Sequence, residues 1–427
     1  MSKSNLPRIQ DFDLAGKIVL ARVDHNVVEK GIIKDPFRID STFDIIHHVA
    51  ARGGLLILMT HIGRTRDNKT GKIKSDPGTA VEPVVDYVNR KLKANLTIPK
   101  LPVDPEWGIC GMDEGVMAPL LKGLHSRQLG GIYLPNTRWF SGEESKDEKT
   151  QALVNQWAAM ADLYVNDALG SWQPHASTFD VAKVMPACAG FLLDMELENL
   201  ARVLKPEPPF VAVVAGSKYD TKIGPLNKIY DQVSHLVLGG VIYNAFLCAK
   251  YGIEVAGVAA EDVELARSLV EKDKNTGKIL EPKFLVESQV LDRRDPALVR
   301  VVKSDEFTPG RKYAYFLDVA AESFDEPAVR EALGQARTMF VNAVMGMTPL
   351  FIEGSQALYG LIAENAKGMK LFAGGDTLAE LRNLQPAVYL RAMDDQSYYF
   401  FTGGGAVLTA IEESSPYGIK PVQVLLK

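Results

Sequence analysis

Three cysteines are all that this 427-residue chain contains, and Cys110, Cys188 and Cys248 stand too far apart for a disulfide framework or a zinc site. A reducing, cytoplasmic setting is expected. No uninterrupted apolar run approaches the roughly 20 residues of a membrane span, and Met1 to Ile9 lacks the apolar centre of a signal peptide. Basic residues are not in surplus: 48 Lys and Arg face 53 Asp and Glu, a formal net charge of -5, which argues against a nucleic-acid partner. The sequences G-x-x-x-x-G-K-[ST], H-E-x-x-H and G-x-S-x-G are missing, so the commonest phosphate-loop, zinc-hydrolase and serine-hydrolase signatures are excluded. Gly374-Gly375-Asp376 also lacks the G-x-G-x-x-G spacing of a dinucleotide-binding dehydrogenase.

What is present is ordinary globular composition, 46% hydrophobic and 24% charged, in a chain long enough for two domains. Short β-branched apolar runs recur, each closed by a polar or Gly-rich cluster and followed by a helix-like stretch. Examples are Ile18 to Val23, Leu55 to Thr60, Leu163 to Val165, Phe210 to Val214, Leu236 to Leu238, Tyr313 to Val319 and Lys370 to Ala373. This is the pattern of an α/β protein with parallel sheets wrapped by helices, here two Rossmann-like domains. Between Gly190 and Leu204, Leu193, Leu197, Leu200 and Leu204 share one helical face, and Lys205-Pro206-Glu207-Pro208-Pro209 stops the helix, which marks a helical hinge. The stretches from Arg66 to Lys100 and from Val103 to Gly130 read as surface elaborations.

Ligands of such sheets bind beyond the carboxyl ends of the strands. Arg22-Val23-Asp24-His25-Asn26, Arg38, His61-Ile62-Gly63-Arg64 and Asn136-Thr137-Arg138 crowd those ends in the first half. Singly, each reads as a solvated loop charge, and His61 as a packed strand-end histidine. Several arginines on one rim would suit a small polyanion, because guanidinium forks match carboxylate and phosphate. In the second half Ala373-Gly374-Gly375-Asp376-Thr377 and Thr402-Gly403-Gly404-Gly405-Ala406 each follow one element and open a helix, offering backbone N–H groups and a positive dipole end. Either alone reads as a tight turn with an N-cap; two in one half point to anion binding. Lys218, just past the run Phe210 to Val214, reads either as a surface lysine or as a cation for a phosphoryl group in flight.

Taken in order, these segments resemble the phosphoglycerate kinase family over almost the whole chain. The match includes Arg22-Val23-Asp24-His25-Asn26-Val27 with Arg38-Ile39, Thr60-His61-Ile62-Gly63-Arg64, Tyr164-Val165-Asn166-Asp167-Ala168, Gly216 to Lys222, Gly374-Gly375-Asp376-Thr377 and Thr402 to Ala406. The resemblance implies an acid-binding domain over 1–189, a joining helix over 190–205, a nucleotide domain over 206–405, and a C-terminal segment, 406–427, that returns to the first domain. It further implies that Asp24, Asn26, Arg38, His61, Arg64, Arg138 and His175 hold 3-phosphoglycerate. Gly216, Lys218, Lys222, Gly239, Gly240, Asn342, Gly374, Gly375, Asp376 and Thr377 would face the nucleotide, ATP or ADP, with Asp376 on Mg2+, Gly403 and Gly404 as backbone donors, and Arg38 and Lys218 as the catalytic cations. A monomer acting on small molecules alone, and closing about its hinge, is expected.

Several family positions are altered. Ser171-Trp172-Gln173-Pro174-His175 is one residue shorter than the family's stretch and lacks its arginine. Asn342-Ala343-Val344-Met345-Gly346-Met347-Thr348-Pro349 puts Pro349 where an acid would hold the ribose hydroxyls, and Ala215 and Val241 replace glycines of the nucleoside slot. The expected activity is phosphoglycerate kinase itself. The alternatives are a paralogue with a changed acid or nucleotide, and a non-catalytic binding protein.

Overall fold

Continuous apolar strands need cover on both faces, and the computed structural model, which describes residues 6–216 and 222–426, provides it in two separate units. One comprises Met1–Glu198 with Tyr417–Lys427, the other Asn199–Pro416.

In the first unit the sheet strands are β1 (Ile18–Val23), β2 (Leu55–Met59), β3 (Leu96–Thr97), β4 (Gly131–Tyr133), β5 (Leu163–Asp167) and β6 (Ala187–Ala189). They run in the order β3-β4-β2-β1-β5-β6, all parallel. Every residue of β1, β2 and β5 is buried. Helix Phe43–Ala51 closes over the sheet with Ile45, Ile46 and Val49, and helix Glu82–Leu92 with Val84, Val85 and Val88. The stretches expected to be surface elaborations therefore belong to the domain itself. They supply helix Glu82–Leu92, edge strand β3, and helix Glu114–His125, whose N-terminus Asp113 caps by accepting from Val116 N at 2.9 Å. The two-residue strand is too short for a periodic signal, which is why the pattern hid it. Pro421 O accepts a hydrogen bond from Asn166 Nδ2 at 3.2 Å, and Val422 and Leu425 are buried in the same unit.

The second unit carries β7 (Phe210–Gly216), β8 (His235–Gly239), β9 (Ile279–Leu280), β10 (Thr338–Asn342), β11 (Met369–Ala373) and β12 (Tyr398–Phe401). Their order, β9-β8-β7-β10-β11-β12, is that of a doubly wound sheet, and its direction of winding reverses between β7 and β10. The expected parallel strand Tyr313 to Val319 is a correction. Tyr315–Val319 lies in a separate antiparallel sheet with Phe284–Ser288 and Val299–Lys303. Its exposure alternates over the first residues, with Phe316 and Asp318 buried and Tyr315 and Leu317 only half-buried, as suits a strand covered on one face. No helix among the described residues is long and apolar enough to cross a membrane.

Candidate active site

In the first unit the predicted anion-binding residues gather where β1, β2, β4 and β5 end. Arg22, 1% exposed, donates from Nε to Ser177 Oγ at 3.0 Å and from Nη2 to His61 Nδ1 at 2.7 Å and Ser171 Oγ at 3.2 Å. Its Nη1 donates to Val23 O. A guanidinium can only donate, so His61 Nδ1 is the acceptor and the imidazole proton sits on Nε2. Burial, reinforced by the charges of Arg22, Arg138, His175 and Arg38, holds the His61 pKa well below the ordinary histidine range. The ring is a neutral donor. Glu143, 2% exposed, accepts from Ser177 N at 3.0 Å and Ser177 Oγ at 2.5 Å, which places a buried negative charge behind the Arg22 guanidinium.

Asp24, also buried, accepts from Arg38 Nη1 at 3.2 Å, and a quarter of the Arg38 side chain stays exposed for a ligand. Asn26 Oδ1 accepts from Gly63 N at 2.9 Å, joining the ends of β1 and β2. Asn136 stitches the next strand end on: Oδ1 accepts from Ile62 N and Arg138 N, both at 3.1 Å, and Nδ2 donates to Ile62 O and Thr79 O, both at 2.8 Å. Arg138 thereby faces Gly63 O through Nη1 and Glu144 through Nε at 3.1 Å. His175 Nε2 lies 3.5 Å from the same Glu144 carboxylate, and its Nδ1 is buried without a hydrogen-bond partner among the described residues. Burial lowers the His175 pKa against the pull of Glu143 and Glu144. Arg64 is exposed. His25, between the two predicted site residues Asp24 and Asn26, is spent on structure. Thr42 Oγ1 donates to Ile39 O at 2.8 Å and accepts from His25 Nε2 at 2.7 Å, so His25 Nδ1 accepts from Tyr133 Oη at 2.8 Å. Burial drives its pKa down to about 3.

The second cluster lines the crevice between β7 and β10. Lys222 Nζ donates to Ala215 O at 2.5 Å and Asn342 Oδ1 at 2.6 Å, and Asn342 Nδ2 donates to Ala373 O at 2.6 Å, so one lysine and one amide tie three strand ends. Burial lowers the Lys222 pKa to about 8, opposed by Asp376. Gly374 caps helix Gly375–Leu384 at φ 105°, which side-chain-bearing residues rarely adopt, and a Cβ there would lie 2.8 Å from Asn342 Nδ2. Gly403 caps helix Gly404–Glu412, and a Cβ on Gly404 would lie 2.7 Å from Gly374 Cα. The two glycine turns thus meet backbone to backbone and present two helix N-termini side by side. Gly375 is open to solvent, Thr377 is buried, and Asp376 is exposed with no hydrogen bond or ion pair to a described residue. No group of three or more His, Cys, Asp or Glu able to hold a metal occurs among the described residues. A lone free carboxylate at a helix N-terminus fits a magnesium ion that takes its other ligands from phosphates and water. Gly216 pairs with Gly240 across the β7 and β8 ends, and Met345 Sδ and Cε would each lie 2.6 Å from a Cβ on Gly239, with Ala215 Cβ at 3.0 Å. The space between these strand ends is narrowed from that side. Lys218 lies outside the described residues.

Residues 9–414 match the family model of phosphoglycerate kinase. The chain belongs to the phosphoglycerate kinase family. It is 33% identical to the phosphoglycerate kinase of Desulforudis audaxviator over 422 residues, covering 97% of this chain and 98% of that one, and 32% identical to that of a Roseiflexus species, covering 95% of each. The structure of phosphoglycerate kinase from Coxiella burnetii superposes with a TM-score of 0.75 at 27% identity, over 98% of both chains. Members of this enzyme family are phosphotransferases with a carboxyl acceptor and a nucleotide co-substrate, and the two parallel sheets are its fold. Three side chains of this cluster escaped the sequence reading: Ser177, Glu143 and Glu144. The Glu143-Glu144 pair follows Arg138 closely in sequence, a signal that acids would face the arginines, but only the fold shows which arginine each meets.

Proposed function

We propose that the chain catalyses reversible phosphoryl transfer between MgATP and the carboxylate of 3-phosphoglycerate, giving ADP and 1,3-bisphosphoglycerate. The observation that carries this reading is the presence of two clusters, one within each unit, in a chain of this family. Asp24-held Arg38, neutral His61 and Arg138 form a rim suited to a phosphorylated acid in the first unit. Lys222, Asn342 and two adjoining helix N-termini form a phosphate seat in the second. A carboxylate nucleophile is ionised near pH 7, its pKa being about 4, so no general base is required and positioning with charge neutralisation suffices. Arg38 would orient the acid's carboxylate, with the His61 Nε2–H, Asn26, Arg64 and Arg138 on its phosphate. Lys222 would meet the nucleotide phosphates, with Lys218 as the second catalytic cation. Asp376 would hold Mg2+, which when bound neutralises phosphate charge. Three free cysteines suit a reducing, cytoplasmic setting.

A second reading, a changed acid substrate, is favoured by one specific contact. Glu144 engages both Arg138 and His175, beside the loop that has lost an arginine, so one corner of the rim is already neutralised. A coupled assay with 3-phosphoglycerate across ATP and GTP separates the readings. Turnover at a KM in the usual range of roughly 1 μM to 1 mM supports the first reading. No turnover with 3-phosphoglycerate, but turnover with a related acid, supports the second.

A further inference from the structure

Glu143 and Arg22 are both buried, at 2% and 1% exposure, and the Ser177 hydroxyl stands between them. Ser177 belongs to a single π-helical turn, Ala176–Asp180, in which the Val181 N–H reaches back to Ala176 O. Such turns are rare and gather at functional sites. This one commits every polar group of Ser177. The N–H donates to Glu143 Oε2 at 3.0 Å, the hydroxyl donates to Glu143 Oε1 at 2.5 Å, and the carbonyl accepts from Tyr164 Oη at 2.9 Å.

The direction of each hydrogen follows from the acid. A carboxylate only accepts, so the single Ser177 hydroxyl proton points at Glu143 and the oxygen's lone pairs face Arg22 Nε, which donates at 3.0 Å. With Nε held there and Nη1 on Val23 O, Arg22 turns Nη2 to His61 Nδ1 at 2.7 Å. The imidazole proton is thereby left on Nε2. Charge compensation alone would not call for the hydroxyl, since guanidinium and carboxylate bind each other best in direct bidentate contact. Interposed, it passes on direction as well as charge, and hydrogen-bonded chains of this kind polarise their members. Burial lowers the Arg22 pKa, and the Glu143 charge opposes that fall.

We propose that Glu143 is a positioning residue of the anion rim: acting through Ser177 and Arg22, it fixes His61 as an Nε2–H donor to the acid's phosphate. The inference rests on reading the first unit as the one that binds 3-phosphoglycerate. Nitrogen-15 spectra of the histidine-labelled full chain, taken beside calorimetry with 3-phosphoglycerate and MgATP, test it. Ser177→Ala and Glu143→Gln should each bring up an Nδ1–H population of His61 that the parent lacks. Each should also weaken 3-phosphoglycerate about tenfold, the size of one hydrogen bond, while MgATP binds as before. An unchanged His61 spectrum in Ser177→Ala, or a changed spectrum with no loss of 3-phosphoglycerate affinity, overturns the inference. A parent that does not bind 3-phosphoglycerate overturns the substrate reading instead, and the His61 spectra then decide the positioning role by themselves. Ser177→Ala removes one oxygen only, so it keeps the test decisive even if Glu143→Gln does not fold.

Discussion

Arg22 donates to His61 across 2.7 Å, and that contact alone assigns the proton on the imidazole. With Nδ1 occupied by an obligate donor and the ring buried among Arg22, Arg138 and Arg38, His61 stays neutral throughout the physiological range. Nitrogen-15 spectra of histidine-labelled protein should show His61 as the Nε2–H tautomer with no titration between pH 5.5 and 8. A midpoint near the ordinary value of about 6.5 would refute the assignment.

Arg22 itself is predicted to matter more for stability than its absence from the ligand-facing set suggests. Its removal leaves Glu143 with a buried charge hydrogen-bonded to Ser177 and without the guanidinium behind it. Arg22→Met should lower the unfolding free energy by about 3–5 kcal/mol, the order found when a buried charge loses the charge that compensates it, here across the Ser177 hydroxyl. Adding Glu143→Gln should recover part of that loss. Denaturant titrations of the single and double variants give the comparison, and a neutral Arg22→Met would count against the pairing.

Lys222 has a pKa lowered to about 8, so the free protein loses this charge as pH rises through 8 rather than near the ordinary value of about 10.4. Phosphates favour the charged form. Nucleotide binding near pH 8 should therefore take up protons, and affinity should hold steady below pH 8 and decline above it. Calorimetry in buffers of different ionisation enthalpy reads the uptake directly, and Lys222→Ala should remove it. Binding without proton exchange at pH 8 in the parent would contradict the lowered pKa.

Each unit also buries a carboxyl whose pKa is pushed up to about 7 by desolvation. Asp167 accepts from Leu193 N at 2.9 Å while its Oδ2 has no partner among the described residues. Asp318 accepts from Val319 N at 2.8 Å and Gly354 N at 3.1 Å. An acid whose folded pKa lies above its unfolded value of about 3.9 is a stabilising proton carrier at low pH, and its contribution is lost as pH climbs toward 7. The buried histidines tilt the curve the other way below pH 6.5, so the informative quantity is a difference. The melting temperature of Asp167→Asn minus that of the parent should grow from pH 4 to pH 7 and then level off, and Asp318→Asn should behave alike. A flat difference would show that these carboxyls do not titrate there.

Much of this was legible in the sequence because the relevant signals are local. Ile18–Val23 and Leu55–Met59 are unbroken apolar runs, and the polar residues directly after each one, Asp24 and His61 among them, do stand at a sheet's carboxyl edge. Strands of two or three residues such as Leu96–Thr97 and Gly131–Tyr133 carry no period of their own and gain their identity only from neighbours in the sheet. Tyr315–Val319 went to the wrong sheet because a run of five residues does not state which partner it pairs with. The pairing of Glu144 with Arg138 and of Glu380 with Tyr359 depends on side chains that the fold brings together, and no spacing rule announces either.

The contact between Gly374 and Gly404 has an evolutionary corollary. Since a Cβ on Gly404 would press 2.7 Å from Gly374 Cα, and one on Gly374 would press on Asn342, neither turn can drift without the other giving way. The two stretches, thirty residues apart, should therefore be inherited as a single locus. A length change in one turn would survive only with a matching change in the other, so relatives that alter the first glycine motif should be found to have altered the second.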